Sequence, residues 1–535
     1  MGKGIIFNVD SDWFLSTRAR EERDYGKNVD EKVLNDFIDQ FKGTDVSDIV
    51  MCMGEKLSVF PSKVKSFYGD RFNVTYERGA EVDYSKNPAE VANTIWYKNG
   101  LDPYKIWFER CRKNGINPWM AFRMNDAHDC FAERDYQIPK EVYENFETHS
   151  RVRHREQTQY FDRLKDFEVE EVRETILNFI DEALDRYDVY GIELDYQREF
   201  NCFQIGHEVQ GRKLMTELVI KIKETVLKYE KKYNHKIKII ARALESPITC
   251  EEAGLDIVEW ARLGLIDMYV PAPRWWTINN DMPIRLWKQI LAPYGVEVAG
   301  SLELFINSHP DGLRAANTVE SVFGTANNIL SQGADQLYSY NIYPDSEALM
   351  PGSSDDYELM NKLDPDVPEG IYRFYTSAGS LEKLSKVKRK NIITYSEKLP
   401  LGRPWDNILP LKIVTLPEGA GEKWAPDFSE KFTPGFLRIP TGYVSDTDKI
   451  TLRMGVTDGI KAENLNVYVN SMKCTYTGEE DCGKPYLYED KLLCFDVPAE
   501  AMKDTYILMA EIIKASQDIK DFYIGYADVV VEPKI

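Results

Sequence analysis

The sequence predicts an α/β protein, a (β/α)8 barrel followed by an all-β sandwich. Over about residues 4–345, apolar strand patterns that end in polar residues alternate with amphipathic helical patterns. Near residue 392 the pattern changes to short alternating apolar runs separated by Gly, Pro, Asp and Asn. Alternating strands and helices favour a parallel sheet, and short strands between turn residues favour a sandwich. A chain of 535 residues is also too long for one ordinary hydrophobic core.

Eight strands are predicted in the first part of the chain, most of them ending in ionisable or aromatic residues. They span residues 4–13, 49–54, 117–123, 189–199, 236–245, 266–274, 296–303 and 336–343. Helical patterns lie between them at 30–41, 104–114, 169–187, 211–233, 251–263, 284–291 and 313–332. A last helix is expected at 357–363 or at 381–390. In such barrels the chemistry collects at the carboxyl ends of the strands.

The predicted domains are a barrel over residues 1–391 and a β-sandwich over 392–535. Two long excursions, at 55–99 and 130–167, interrupt the barrel pattern, and excursions of that length in an α/β domain are usually functional. Three roles stay open for the β-rich tail: it would bind glycan, form a homodimer or brace the barrel.

Composition excludes several classes of partner. The formal net charge is −21 and the pI is about 5.0, which argues against binding to nucleic acid or to anionic membranes. No run of 18 apolar residues predicts a transmembrane helix. No leader pattern precedes the first strand, so we expect a cytoplasmic protein, or a secreted one if a leader was removed. No phosphate-binding loop or metal motif is present, so no cofactor or metal is expected.

The predicted strand ends gather acids, arginines and aromatic residues. They are Asp10 and Asp12; Arg123, Asn125, Asp126 and His128; Glu193, Asp195 and Arg198; Arg242 and Glu245; Arg274, Trp275 and Trp276; Glu303; and Tyr340, Asn341 and Tyr343. Paired carboxyl groups suit cleavage of a glycosidic bond, which needs a proton donor and a base or nucleophile. Histidine is an alternative acid or base, and converging arginines suit a substrate carboxylate. Aromatic residues suit one wall of a sugar site.

Some of these residues have an equally good structural explanation. Arg242 would pair with Glu245, and Glu193 or Asp195 would hold a neighbouring arginine in place. The pair Asp10 and Asp12 would otherwise cap a helix or solvate a loop, and a single histidine more often serves a structural hydrogen bond than catalysis.

Five scattered positions carry a family resemblance. An Asp ends the first strand, an Arg and a His five residues apart follow the third, an Arg follows the fourth and an Asn follows the eighth. Here these positions are Asp10 (or Asp12), Arg123 with His128, Arg198 and Asn341. The pattern resembles glycoside hydrolase family 156, a family of exo-sialidases with a (β/α)8 barrel, or a related glycosidase-like barrel family.

The resemblance implies an inverting exo-sialidase that releases a terminal sugar from sialoglycans. Asp10 or Asp12 and His128 would share the proton transfers, while Arg123 and Arg198 would hold the sugar carboxylate. The whole expected substrate-binding set is Arg123, Asn125, Asp195, Arg198, Arg242, Arg274, Trp275, Asn341 and Tyr343.

Two alternatives remain open from the residues alone. One is a neutral-sugar or uronide glycosidase with two catalytic carboxyl groups, one from Glu193 or Asp195 and one from Glu245 or Glu303. The other is a barrel that binds glycan without cleaving it, which the many charges at the strand ends argue against, because buried charges are costly without a use.

Overall fold

The structure is a computed structural model, and it describes only part of the chain. The described residues are 3–9, 30–54, 57–65, 67, 100–126, 145–152, 164–273, 277–303, 305–307, 315–340, 342, 373–394, 408–415, 434–457, 459–481, 491–516 and 518–534. In chain order the strands up to residue 340 are β1 (Ile5–Val9), β2 (Val46–Cys52), β3 (Asn117–Arg123), β4 (Gly191–Asp195), β5 (Lys238–Ala243), β6 (Met268–Pro271), β7 (Glu297–Leu302), β8 (Phe305–Ile306), β9 (Ala315–Ala316) and β10 (Gln336–Tyr340).

Eight of these strands close into a parallel barrel, as predicted. Going round, the order is β1, β10, β7, β6, β5, β4, β3 and β2, and β2 returns to β1. Strands β8 and β9 stand apart as a short antiparallel pair that the sequence pattern did not predict. Because parallel neighbours all point the same way, the carboxyl ends of the eight barrel strands meet at one rim.

Most helices between the strands follow the predicted pattern. The helix expected at 381–390 covers only 381–384, because residues 389–392 form a strand, and the sequence pattern does not predict the short helix at 146–149. In chain order the helices are α1 (Glu31–Asp39), α2 (Pro103–Lys113), α3 (Phe146–His149), α4 (Glu170–Arg186), α5 (Glu208–Tyr233), α6 (Pro247–Glu252), α7 (Ile257–Arg262), α8 (Ile284–Leu291), α9 (Val319–Ser331) and α10 (Leu381–Leu384). The pattern at 251–263 gives two short helices, because Gly254 between them has φ +79, outside the helical region. The helix predicted at 313–332 begins later, where Thr318 and Ser321 form a capping box.

The barrel interior is layered along its axis. Alternate residues of each strand point inward. At the amino end Asp48 accepts hydrogen bonds from the side chains of Asn117 and Gln336. The middle of the barrel is filled by an apolar cluster that contains Ile6, Val50, Trp119, Ile240, Met268 and Ala299. Above this cluster the inward side chains become polar and charged. The apolar cluster therefore forms a layer that separates the carboxyl-end rim from the amino end.

Residues after 388 form two antiparallel sheets. Their strands are β11 (Arg389–Ile392), β12 (Leu411–Ile413), β13 (Gly435–Pro440), β14 (Lys449–Val456), β15 (Leu465–Val469), β16 (Met472–Lys473), β17 (Thr475–Asp481), β18 (Lys491–Val497), β19 (Ile507–Lys514) and β20 (Phe522–Glu532). One sheet has the order β11, β20, β14, β18 and β17, with β12 also paired to β20, and the other has β13, β19, β15 and β16. Strand β11 crosses the predicted boundary at 391/392, which stays a prediction.

Buried polar side chains join the barrel to these sheets. Asn327 of α9 donates from Nδ2 to the main-chain oxygens of Thr441 and Tyr443, at 3.0 and 3.2 Å. Asn280, after β6, donates from Nδ2 to the oxygen of Ile392 at 2.8 Å. Buried amides need such partners, so these bonds fix the position of the sheets on the barrel.

Gly191 at the start of β4 predicts a packing experiment. A Cβ at this position would lie 2.1 Å from a ring carbon of Trp119, inside the barrel where neither side can yield easily. We expect Gly191→Ala to lower the free energy of unfolding in urea by about 1 to 3 kcal/mol, the usual cost of overpacking a core. Trp119→Leu should cost stability alone, and the double variant should be more stable than the sum of both losses predicts. Additive losses would contradict the contact.

Candidate active site at the carboxyl end of the barrel

Three charged residues lie side by side at the carboxyl-end rim. Arg123 of β3 is in register with Asp195 of β4, and Asp195 is in register with Arg242 of β5. Because neighbouring strands of one sheet carry matched residues at similar heights, all three side chains reach the same end of the barrel.

The guanidinium of Arg242 connects two acids at this rim. Nη1 donates to Oδ1 of Asp195 at 3.0 Å, and Nη2 donates to Oε1 of Glu303 at 3.1 Å. The central guanidinium carbon of Arg242, Cζ, lies 3.9 Å from the centre of the Tyr340 ring and makes a cation–π contact with it. The three charged side chains are at most 3% exposed, so these ion pairs are little screened by solvent.

Asp195 accepts three hydrogen bonds on one carboxyl oxygen. Besides the bond from Arg242, its Oδ1 accepts from the main-chain N–H groups of Gln197 at 3.0 Å and Arg198 at 3.2 Å. These donors stabilise the negative charge of the side chain. They also fix the turn that leaves β4.

Glu303 sits in a different environment. Its Oε1 accepts from Arg242 and from Oγ of Ser301 at 2.8 Å, while its buried Oε2 has no hydrogen-bond partner among the described residues. Burial raises the pKa of Glu303 to about 7, against the opposing effects of Arg242 and Ser301. Near neutral pH the group therefore carries a proton part of the time, and Oε2 is the oxygen that can hold it.

Glu193 lies two residues before Asp195 on β4, one layer deeper in the barrel. Its two oxygens lie 2.9 and 2.7 Å from the hydroxyl of Tyr338, and Nδ2 of Asn8 donates to the same hydroxyl at 2.6 Å. Burial, helped by the charge of Asp195 and opposed by Arg242, raises the pKa of Glu193 to about 8. Glu193 is thus mostly neutral at pH 7 and forms a polar floor beneath the rim.

Two further arginines converge on Asp126, just after β3. Nη1 of Arg123 is 3.3 Å from Oδ2 of Asp126, and Nε of Arg198 is 3.8 Å from the same oxygen. The side chains of Arg123 and Asp126 are 2% and 4% exposed, and that of Arg198 is 11% exposed. The predicted carboxylate-binding arginines are therefore brought together, with an internal carboxylate between them.

Asn125 and Glu245 lie beside this centre in different roles. The amide nitrogen of Asn125 donates to the main-chain oxygens of Lys165 and Asn201, at 2.9 and 3.0 Å. These bonds hold the loop after β3 against the chain at Lys165 and at Asn201. Glu245 accepts from Nδ2 of Asn279 at 2.6 Å and borders a cavity outside the barrel. Its proposed pairing with Arg242 is replaced by the bonds from Arg242 to Asp195 and Glu303.

The other expected site residues lie outside the described residues, and their roles stay predictions. They are Asp10, Asp12, His128, Arg274, Trp275, Asn341 and Tyr343.

Three residues that complete the network are absent from the predicted site: Asn8, Ser301 and Tyr338. The sequence places Asn8 at the end of the first strand, on the same face as Asp10 and Asp12, whereas Ser301 and Tyr338 lie in the interior of predicted strands. Ser301 stands two residues before Glu303, and Tyr338 two before Tyr340. Strand residues i and i+2 face the same way, so this spacing was the signal that could have found them.

The described part of the chain shows no group of three or more His, Cys, Asp or Glu side chains placed to hold a metal ion. None of the helices in the described ranges is long and apolar enough to cross a membrane.

Comparison with known proteins gives similarity of structure alone. No protein-family model matches the chain, and no curated protein matches its sequence. The chain is similar to the PgaB (BpsB) glycoside hydrolase domain from Bordetella bronchiseptica, with 11% identity, a TM-score of 0.40, and 70% of this chain and 99% of that one covered. It is also similar to a family 39 glycoside hydrolase from Bacteroides cellulosilyticus WH2, with 12% identity, a TM-score of 0.38, and 96% and 81% covered. Likenesses this distant assign no activity to the chain.

The raised pKa values of Glu193 and Glu303 predict a pH dependence of stability. A carboxyl group whose pKa is higher in the folded than in the unfolded state stabilises the fold at low pH, and this contribution is lost as the pH rises through the folded value. The stabilisation is fully present below the ordinary glutamate pKa of 4.5. It decreases as the pH rises, and it is lost once the pH passes the folded pKa, which is about 7 for Glu303 and about 8 for Glu193.

We expect Glu193→Gln, which keeps a polar partner for Tyr338 but cannot ionise, to change this dependence. Between about pH 5 and 8, the free energy of unfolding in urea should fall less steeply in this variant than in the wild type. The exposed Glu500→Gln serves as the control and should leave the slope unchanged. Equal slopes in wild type and Glu193→Gln would show that Glu193 is ionised throughout.

Proposed function

We propose that the protein is a glycoside hydrolase in which Glu303 is the general acid and Asp195 is the partner carboxylate. The observation that carries this proposal is the pair of acids on one guanidinium in unlike environments. Three N–H groups donate to Oδ1 of Asp195, whereas burial raises the pKa of Glu303 to about 7, so that Glu303 carries a proton part of the time near neutral pH. Two carboxyl groups that differ in this way are suited to the acid and the base or nucleophile of glycoside cleavage.

In this mechanism Oε2 of Glu303 donates its proton to the glycosidic oxygen as the bond from that oxygen to the anomeric carbon breaks. The carboxylate of Asp195 acts on the anomeric carbon, either directly as nucleophile or by taking a proton from an attacking water. Both acids bond the same guanidinium, so the bonded oxygens, Oδ1 of Asp195 and Oε1 of Glu303, lie within the roughly 9.5 Å that inverting glycosidases allow. The configuration of the first released sugar distinguishes the two routes.

A second candidate concerns an acidic substrate. Arg123 and Arg198 both approach Oδ2 of Asp126, which is the arrangement that two guanidinium groups adopt around a carboxylate. A substrate carboxylate that displaced Asp126 would meet two arginines already in place. This supports an inverting exo-sialidase, with Asp10 or Asp12 and His128 sharing the proton transfers, or a uronide glycosidase built on the Asp195–Glu303 pair.

We also infer that the two C-terminal sheets pack face to face as a β-sandwich. Leu437 and Ile439 of β13 belong to the same buried apolar cluster as Leu452 of β14 and Val529 of β20. Inward residues from both sheets in one cluster are typical of that architecture.

The dependence of kcat/KM on the leaving group distinguishes the general acid from its partner carboxylate. We expect Glu303→Gln to lower kcat/KM on a phenyl glycoside by about 10² to 10⁴, and to have little effect on a 2,4-dinitrophenyl glycoside, whose leaving group needs no proton. Asp195→Asn should lower both to a similar extent. Activity of the wild type should fall as the pH rises above about 7, because Glu303 then loses its proton.

The control for these variants is Asp48→Asn, which alters an equally buried acid at the amino end of the barrel. Asp48 is 4% exposed and bonded to Asn117, Trp119 and Gln336. The variant perturbs the barrel core but should keep its activity. Full activity of Glu303→Gln on the phenyl glycoside would exclude Glu303 as the acid.

The acidic-substrate candidate is tested by a panel of aryl sialosides, uronides and neutral glycosides. If the substrate carries a carboxylate, Arg123→Ala and Arg198→Ala should each raise KM about 10- to 100-fold, the cost of losing a charge-assisted hydrogen bond. His128→Ala and Asp10→Asn should abolish cleavage only in the sialidase mechanism, and proton NMR of the released anomer reports inversion. Cleavage of neutral glycosides alone would reject the acidic substrate.

A further inference from the structure

A cavity of about 310 Å³ lies between the barrel and the C-terminal sheets. The barrel contributes Glu245, after β5, and Asn279 and Asp281, after β6. The C-terminal part contributes Arg438 of β13 and the chain around Ile393. The volume is at the lower end of the range for small-molecule sites.

The lining contains both polar and aliphatic residues. Its polar members include two carboxylates, two amides and a guanidinium, and its aliphatic members are Pro283, Ile392, Ile393, Ile408, Ile439 and Pro440. Such a surface suits a ligand with hydroxyl groups on its edge and C–H groups on its faces. Among the described lining residues, Glu245 and Asp281 are acids and Arg438 is a base, and this balance disfavours an anionic ligand.

The walls of the cavity are held in place before any ligand binds. The side chain of Asn280 accepts from Oγ1 of Thr325 at 2.8 Å and from Nδ2 of Asn391 at 3.0 Å, and it donates to Ile392. Arg438 forms an ion pair with Asp281 across the junction. A site preorganised in this way avoids the cost of ordering its walls on binding.

Two features point to an occupant. The hydroxyl of Thr394, in the lining, is buried and has no hydrogen-bond partner within the described part of the chain. Phe436 is 51% exposed and lies two residues before Arg438 on β13, so both side chains are on the same face of the sheet. An exposed aromatic ring beside a polar cavity is suited to stacking on the next unit of a chain-like ligand.

We propose that this cavity binds one sugar unit of an uncharged oligosaccharide, with the neighbouring unit stacked on Phe436. Glu245 and Asn279 hydrogen-bond hydroxyl groups of the bound unit, and the half-buried Ile408 packs against one of its C–H faces. Glu245 follows Arg242 by three residues, so the cavity lies beside the candidate active site. Binding at the cavity does not depend on the proposed hydrolase activity, although a longer substrate could contact both.

The test is saturation-transfer NMR with four tetrasaccharides: cellotetraose, chitotetraose, maltotetraose and the anionic tetragalacturonate. All measurements use the full-length chain carrying Glu303→Gln, so that turnover does not consume the probe. We expect at least one uncharged probe to bind with a Kd below about 1 mM. Ile408→Trp, which fills the cavity, and Phe436→Ala, which removes the platform, should each weaken that binding at least about tenfold.

Tyr476→Ala is the matched control, because Tyr476 is 43% exposed on β17 of the other sheet. It should leave the affinity unchanged, and thermal melts should show all variants folded. The proposal is overturned if no uncharged tetrasaccharide binds, or if Phe436→Ala and Ile408→Trp, both folded, bind the uncharged probe as tightly as the parent protein does. It is also overturned if these two variants weaken the binding of tetragalacturonate alone. The aryl-glycoside panel tests the hydrolase proposal separately, since it measures cleavage, whereas the cavity proposal is judged by binding alone.

Discussion

The charge of Arg242 is the interaction on which the candidate site depends. Three acids, Glu193, Asp195 and Glu303, are buried near this cation, and buried negative charge without a partner is very costly. Such charge is removed by protons, which reside on the two glutamates whose pKa values burial raises most. Burial raises the pKa of Glu303 against the opposing effect of Arg242, while the same guanidinium and two main-chain N–H groups donate to Asp195, and this gives the two acids unlike environments.

The layered barrel interior explains why this charge cluster forms at one end only. At the amino end, Asp48 is satisfied by neutral donors, including Asn117, Trp119 and Gln336. The apolar middle layer excludes water and separates that end from the rim. Charges above the layer interact in a low-dielectric environment, where an ion pair and a missing partner both have larger effects than in water.

The barrel strands and most helices were predictable, because hydrophobic periodicity and turn residues are local signals. The pairing at the rim was not. Arg242 lies three residues before Glu245, and sequence proximity favoured that pair, yet its partner Glu303 is 61 residues away. Which acid an inward arginine meets depends on strand register and on the order of strands round the barrel, and neither can be derived from one strand alone. The hydroxyl of Tyr338 was overlooked because interior strand positions were assumed to be core.

The end of β5 links the rim to the junction with the C-terminal sheets. Arg242 points into the barrel, whereas Glu245 lies outside it against the cavity. The turn between them is fixed, because Nε1 of Trp287 donates to the main-chain oxygen of Glu245 at 2.7 Å and Asn279 bonds its carboxylate. A rigid connection of three residues keeps the two places at a constant separation. The C-terminal sheets, held on the barrel by buried amides, thereby complete one wall of the cavity that Glu245 borders.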